Sequence, residues 1–262
     1  ELLDYLARSL IDNDWDLQWL CREIVLSSTY RQSSNVTDPV SYERDPNNAW
    51  LSRGPKHRLS AEQLRDALLA ASGMLVNEIG GPSVMPYQPV GLWEQAGTGK
   101  KYHQSTGDGL YRRSLYTFWK RTAPPPSMLT FDATNRESCT ARRELTTTPL
   151  QALVFLNDPQ YVEASRVLAQ ALIEHHASEI NDRWDELFRR LISRLPSDRE
   201  RDVLNRLYDE QLQYFQGDLQ EANEFLEVGT RLVDDTIDHG DLAATTVVAQ
   251  TMFAYDETIM LR

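Results

Sequence analysis

The sequence predicts a mainly α-helical fold with one long, partly extended insert at about residues 80–148. Apolar residues recur at helical spacing outside this insert, as at Leu3, Leu6 and Leu10. Residue combinations that favour a helix start precede several of these apolar stripes. The insert is instead rich in proline and glycine, which interrupt regular structure.

Two amphipathic helices are predicted in the first thirty residues, with a short loop at Asn13-Asp14 between them. The second helix has an apolar stripe that includes Leu17, Leu20 and Ile24. These positions are three or four residues apart and therefore lie on one helix face.

A further helix is predicted after residues 60–63, whose sequence is Ser-Ala-Glu-Gln. In such a capping box, the serine side chain accepts a hydrogen bond from the backbone three residues later, and the glutamine side chain reaches back. This helix is predicted to run to Ser72 and to stop at Gly73. Asp38-Pro39, earlier in the chain, indicates a turn or a helix start.

Helices are predicted again after the insert. Thr147 or Thr148 caps a helix whose first residue is Pro149. That helix ends near Asn157, and a longer one, with an Asp-Pro start, covers residues 158–176. Further helices are predicted at residues 181–194, 198–216, 218–228 and 242–260.

The insert is predicted to contain a β-strand at residues 110–119, because this stretch combines Tyr, Leu, Thr, Phe and Trp. Long irregular excursions are unusual in compact domains and are often functional. The sequence begins at Glu1, directly in a helical pattern. We therefore interpret residues 1–262 as a single helical domain that is a fragment of a larger protein.

Charge is distributed unevenly along the chain. The net charge is −12 overall, with −5 in residues 1–50, +6 in 51–143, −2 in 144–170 and −11 in 171–262. The basic block either faces an anionic partner or pairs with the acidic remainder of the chain. We take the internal pairing as the default.

Several classes of protein are disfavoured. No apolar run approaches the ~18 residues that a membrane-spanning helix needs, so no span is predicted. Cys21 and Cys139 form no C-x-x-C pair, which excludes a Cys-rich zinc site and an attached c-type haem in this chain. Whether they form a disulfide stays open. Nucleic acid is not a predicted partner, because the acidic parts of the chain would repel phosphate, and no metal site is predicted.

The basic, aromatic part of the insert is the candidate binding site. Seven arginines and lysines lie between residues 112 and 143. Guanidinium groups suit carboxylate, phosphate or sulfate, and aromatic rings stack on sugars or bases. The candidate ligand-binding residues are Trp93, His103, Arg112, Arg113, Trp119, Lys120, Arg121, Asp132, Arg136, Arg142 and Arg143.

A purely structural role for this segment is the alternative. The predicted internal ion pairs join Asp132, Glu137 and Glu144 with Arg136, Arg142 or Arg143. The segment would then wrap the helical core, and Arg112→Ala or Arg142→Ala would lower the melting temperature by removing a buried charge partner.

An enzyme acting on polysaccharide is a further hypothesis. Its carboxylate would be Asp132 or Glu137, with His103 or His57 as partner. Neighbouring arginines would lower the pKa of both carboxyl groups, which makes either a poor general acid. No catalytic residue is therefore assigned. The leading hypothesis is a non-catalytic binding or assembly domain that docks a companion domain or an anionic glycan.

Several stretches resemble a domain of unknown function that is abundant in planctomycetes. They include YRRSLYTFWKRTAPPPSMLTFDATNRESCTARREL, GGPSVMPYQPVGLWE and LLDYLARSLIDNDWDLQWLCREIVLSSTYRQSS. That domain occurs at the C-terminus of large proteins with planctomycete c-type cytochrome domains. The resemblance implies an exported or periplasmic location, haem only in a neighbouring domain, and companion domains of the same polypeptide as partners. Because the family is often encoded near sulfatase-like proteins, it also suggests sulfated polysaccharide.

Overall fold

The mainly α-helical prediction is confirmed by the structure, a computed structural model that describes residues 1–36, 38–97, 99–176 and 179–261. The described residues form thirteen α-helices, two 3-10 turns and two short strands. Strands β1 (His57–Arg58) and β2 (Met260–Leu261) form a two-stranded sheet. No helix in these ranges is long and apolar enough to cross a membrane.

The chain divides into two compact units. Unit 1 comprises Glu1–His57 and the described part of Met260–Arg262, and unit 2 comprises Arg58–Ile259. The assignment of residues 1–262 to a single domain stays a prediction, as does the exact extent of the insert at about 80–148.

Unit 1 contains the two predicted amphipathic helices, and both are confirmed. The N-terminus of the second is capped by Asp16, whose carboxylate accepts hydrogen bonds from the backbone N–H groups of Gln18 and Trp19. Neither of the two helices buries a residue. The helices of unit 1 are α1 (Leu2–Asp12), α2 (Leu17–Leu26) and α3 (Pro39–Arg44).

Unit 2 holds the remaining helices and the main hydrophobic core. Its helices are α4 (Ala61–Ala71), α5 (Leu92–Gln95), α6 (Pro126–Thr130), α7 (Pro149–Asn157), α8 (Pro159–His175), α9 (Ile180–Ile192), α10 (Asp198–Gly217), α11 (Leu219–Leu226), α12 (His239–Phe253) and α13 (Asp256–Ile259). Helix α8 packs most extensively against α12. Ala164 and Leu168 of α8 and Val248 and Ala249 of α12 belong to the same buried core cluster.

Side-chain caps explain several helix starts in unit 2. The capping box of α4 is confirmed, since Ser60 Oγ accepts from the Gln63 N–H and Gln63 Oε1 accepts from the Ser60 N–H. The predicted helix at 242–260 is wrong at both ends. It begins at His239, because Asp238 accepts from the Asp241 N–H and caps it there, and it ends at Phe253, before α13.

The predicted strand at residues 110–119 is also wrong. This stretch contains parts of two 3-10 turns, Gly107–Leu110 and Ser114–Tyr116. Only the isolated bridges Val76 to Arg112 and Val84 to Thr117 resemble strand pairing there. Instead of joining a ladder, the carbonyl oxygens of Leu110 and Arg112 accept hydrogen bonds from the Arg65 side chain, described below.

Helices α6, α7 and α8 meet at an aromatic cluster. The rings of Phe131 and Phe155 are 5.0 Å apart, and the ring of Tyr161 lies 5.3 Å from that of Phe155. All three are buried. Contacts at these distances lock the ends of the three helices together.

Candidate functional site

Arg65, on helix α4, forms hydrogen bonds from the protein interior to the backbone where the basic, aromatic segment (residues 112–143) begins. Its buried guanidinium donates to the carbonyls of Leu110 at 2.8 Å and Arg112 at 2.9 Å, and to Gln160 Oε1 at 2.5 Å. Hydrogen bonds from a charged donor are the stronger kind. Arg65 therefore fixes the backbone from which Arg112 and Arg113 project. Arg65 was absent from the residues suggested by the sequence.

Arg112 is buried and organises the loop at residues 78–82. Its guanidinium donates to the carbonyls of Pro82 at 3.0 Å, Glu78 at 3.1 Å and Gly80, and it lies 3.8 Å from the centre of the Tyr116 ring. Most of its donors thus have internal acceptors. Its neighbour Arg113 is exposed.

Trp93 and Lys120 are brought together in an aromatic cluster. The Trp93 ring lies 5.2 Å from that of Tyr102 and 5.7 Å from that of Phe118, and Lys120 Nζ lies 4.2 Å from its centre. Trp93 is buried, whereas 42% of Phe118 is exposed. His103 follows Tyr102 and Arg121 follows Lys120 in the chain, and both are exposed.

Trp119 and Arg136 form a second contact between predicted site residues. The Arg136 guanidinium lies 4.7 Å from the centre of the Trp119 ring, and Trp119 Nε1 donates to the Asn135 carbonyl at 3.2 Å. Such cation–π contacts are favourable but modest at exposed sites. Arg136 and Arg142 are both exposed.

The predicted ion pairs of Asp132 and Arg143 are wrong in their partners. Asp132 lies 3.4 Å from the buried Arg58 and accepts from the Thr146 N–H at 2.8 Å. Arg143 instead makes two hydrogen bonds to Glu62, at 2.6 and 3.0 Å. Both partners, Arg58 and Glu62, precede residue 80 and lie outside the predicted insert. The prediction had paired only charged residues that are close to each other in the sequence. A catalytic role for Asp132 stays a prediction.

A buried carboxylate that the sequence did not reveal lies on helix α8. Glu163 is fully buried and accepts four hydrogen bonds. The donors are Tyr111 Oη at 2.9 Å, Tyr87 Oη at 3.0 Å, the Thr230 N–H at 2.6 Å and the Arg231 N–H at 2.7 Å. Burial raises the pKa of the Tyr87 and Tyr111 hydroxyls, which keeps them protonated as donors.

The loop that follows α11 packs tightly on Glu163. A β-carbon at Gly229 would lie 2.5 Å from the carboxyl carbon of Glu163, and the φ of Gly229 is +106°. Only glycine fits this close approach to Glu163 and this positive φ without strain. Arg166, one turn along α8, donates to the carbonyls of Arg231 at 2.7 Å and Leu232 at 3.3 Å. Glu163 and Arg166 thus hold this loop against α8.

A cleft of unit 2 has a volume of about 610 Å³. Such a volume lies within the range of ligand pockets. Tyr87, which donates to Glu163, forms part of its wall, so the buried network also positions the cleft. The apolar lining residues are Pro89, Val90, Pro126, Leu150, Leu153, Val154 and Pro159. The uncharged polar ones are Gln88, Gln104, Ser127, Thr130 and Asn157.

Asp158 is the one charged residue among the described residues that line the cleft. Its carboxylate accepts from the Gln160 N–H at 3.0 Å and so caps α8. Burial raises the pKa of its carboxyl group, while hydrogen bonds from Gln160 and Ser127 act in the opposite direction. Gln88 also lines the cleft, but its Nε2 atom is buried and finds no hydrogen-bond partner among the described residues.

None of the eleven residues suggested by the sequence lines this cleft. The Asp-Pro pair at 158–159 was recognised, but as a helix start, and that role is confirmed. No signal in the sequence joins residues 87–90 with residues 126–130 and 150–159, because their proximity arises from tertiary packing.

Comparison with known protein families gives a match over most of the chain. The family model PSD1, described as a protein of unknown function (DUF1553), matches residues 1–208. The match confirms the resemblance to a domain of unknown function and includes the whole cleft. Neither the curated proteins nor the solved structures contain a significant match.

Proposed function

This chain belongs to PSD1, a family of proteins of unknown function (DUF1553), and from this premise we propose that it is a non-catalytic binding module of an exported multidomain protein. The cleft of unit 2 docks a segment of a companion polypeptide. Exported location and companion domains follow from the family resemblance given above.

The observation that carries this function is the apolar wall of the cleft. Val90 is fully exposed, and Leu150 and Leu153 are exposed by 58% and 51%. Isolated apolar side chains on a surface are ordinary, but here they line one concave site. Burying such side chains under a ligand is favourable by about 1.5–3 kcal/mol each. A polypeptide segment with apolar side chains buries these residues when it binds.

We expect Leu153→Gln to weaken peptide binding by at least about tenfold, since it removes one apolar contact from the wall. The probe is a set of short fluorescein-labelled peptides in which Leu, Val and Pro alternate with Ser and Gly. Fluorescence anisotropy measures their dissociation constants. Leu156→Gln is the matched control, because Leu156 is similarly exposed on α7 but lies outside the cleft.

Two outcomes would contradict docking in the cleft. In the first, no peptide of the set binds the native protein saturably. In the second, both substitutions weaken binding equally, which would place the contact elsewhere on α7. Circular dichroism of both variants checks that α7 is still folded.

An anionic glycan is a second candidate ligand, favoured by the aromatic cluster around Trp93. Lys120 lies over the Trp93 ring, and the half-exposed Phe118 offers an apolar face beside it. Exposed His103 and Arg121 adjoin this cluster in the chain. A sulfated sugar could therefore stack on Phe118 and pair with the neighbouring cations.

The glycan candidate predicts binding that depends on sulfation and on salt. Sulfated oligosaccharides should bind at low ionic strength and lose most of their affinity at 1 M salt, where the Debye length falls to about 3 Å. Neutral oligosaccharides of the same backbone should not bind. Isothermal titration calorimetry measures both, and equal, negligible binding of the two would exclude this ligand class.

A further inference from the structure

Asp158, Asp241 and Asp132 are all partly exposed carboxylates of unit 2, but only the last two form ion pairs. Asp241 pairs with Arg183 at 2.6 Å, and Asp132 lies 3.4 Å from Arg58. None of the ion pairs between described residues includes Asp158. Arg65, which interacts with it electrostatically, directs its hydrogen bonds to other acceptors. Asp158 is therefore a carboxylate-bearing residue of the cleft lining that has no salt-bridge partner among the described residues.

A carboxylate in an apolar site is costly unless a cation or several hydrogen bonds compensate it. Asp158 has hydrogen bonds from Gln160 and Ser127, but its two oxygens together can accept about four. The carboxylate thus has capacity for about two further donors. A positively charged ligand group that reaches this carboxylate would gain both the ion pair and the hydrogen bonds.

We propose, building on the binding function above, that the segment docked in the cleft carries a single lysine or arginine flanked by apolar residues, and that its cation pairs with Asp158. The flanking side chains cover Val90, Leu150 and Leu153. Charge complementarity selects this occupant, because Asp158 is the one charge among the described lining residues. An acidic segment would be repelled, and a wholly apolar one would bury the carboxylate unpaired.

The experiment compares two peptide sets that differ at one position. One set carries lysine between Leu, Val and Pro, and the other carries norleucine, which keeps the four-carbon chain and removes the charge. We expect the lysine peptides to bind the native protein at least about tenfold more tightly, a difference typical of a desolvated charge pair. Fluorescence anisotropy measures both sets at the same ionic strength.

Asp158→Asn should abolish the preference for lysine. Asparagine is as good an N-cap as aspartate, so α8 keeps its start while the cleft loses its charge. Asp238→Asn is the matched control, because Asp238 caps α12 in the same way but lies outside the cleft. That variant should retain the full preference.

The outcomes separate this inference from the general binding function. If norleucine and lysine peptides bind the native protein equally, the cation is not recognised, although the cleft still docks peptides. If neither set binds, both ideas fail. Sedimentation velocity adds a last outcome: self-association that Leu153→Gln abolishes and Leu156→Gln does not would make a second copy of this chain the occupant and overturn the proposed one.

Discussion

Glu163→Ala is expected to lower the free energy of unfolding by about 3–5 kcal/mol, the cost typical of breaking a buried charge network by removing one partner. The substitution leaves two tyrosine hydroxyls and two backbone N–H groups without their acceptor. Each unsatisfied buried group adds about 1–3 kcal/mol. It also leaves the neighbouring buried Arg166 without its nearby opposite charge.

Thermal unfolding followed by circular dichroism measures this effect. A chain of this size loses about 2–4 °C of melting temperature per kcal/mol, so a drop of roughly 6–20 °C is expected. Glu174→Ala is the control, because Glu174 is exposed on the same helix and, among the described residues, accepts a hydrogen bond only from Gln170. Equal melting temperatures of the two variants would show that the Glu163 network does not stabilise unit 2.

The helices of unit 2 were largely predictable because their start signals are local. The serine and glutamine of the α4 capping box are three residues apart, and the hydrogen bonds between them form within one helical turn. The same holds for Asp158, whose partner Gln160 is two residues away. Such interactions depend on few neighbours, so a sequence displays them directly.

The buried polar groups were not predictable for the opposite reason. Arg65 bonds to acceptors 45, 47 and 95 residues away, and Glu163 bonds to donors 52 to 76 residues away. In the sequence, both look like ordinary charged residues on a helix. The strand prediction at 110–119 failed for the same reason, since a side chain from α4 takes the carbonyls that a strand partner would need.

The role inferred for the basic block, residues 51–143, changes accordingly. Its +6 charge suggested a surface for an anion, yet Arg112 and Arg143 are directed to internal oxygens and Arg65 supports the loop from within. Several charged side chains of residues 51–143 therefore make contacts within the protein and are not available to a ligand. The exposed basic residues of this block are smaller in number than the sequence suggested and are dispersed along the chain: Lys56, Lys100, Lys101, Arg113, Arg121, Arg136 and Arg142.

Arg112→Ala tests this internal role, and we expect it to lower the free energy of unfolding by about 3 kcal/mol. Hydrogen bonds from a charged donor contribute about 1.5–3 kcal/mol each, and three carbonyls of the 78–82 loop lose theirs. Because that loop is partly exposed, water replaces some of them, which keeps the total well below the sum. Guanidinium chloride unfolding, followed by tryptophan fluorescence, measures the change.

Arg142→Ala separates a buried role from a general effect of removing positive charge. The two substitutions change the net charge equally, but Arg142 is exposed whereas only 4% of Arg112 is. Surface substitutions of this kind usually alter stability by less than about 0.5 kcal/mol. A large loss in Arg112→Ala alone therefore identifies Arg112 as the internal tether of the 78–82 loop. Equal losses in both variants would mean that net charge, and not the carbonyl contacts, sets the stability of this region.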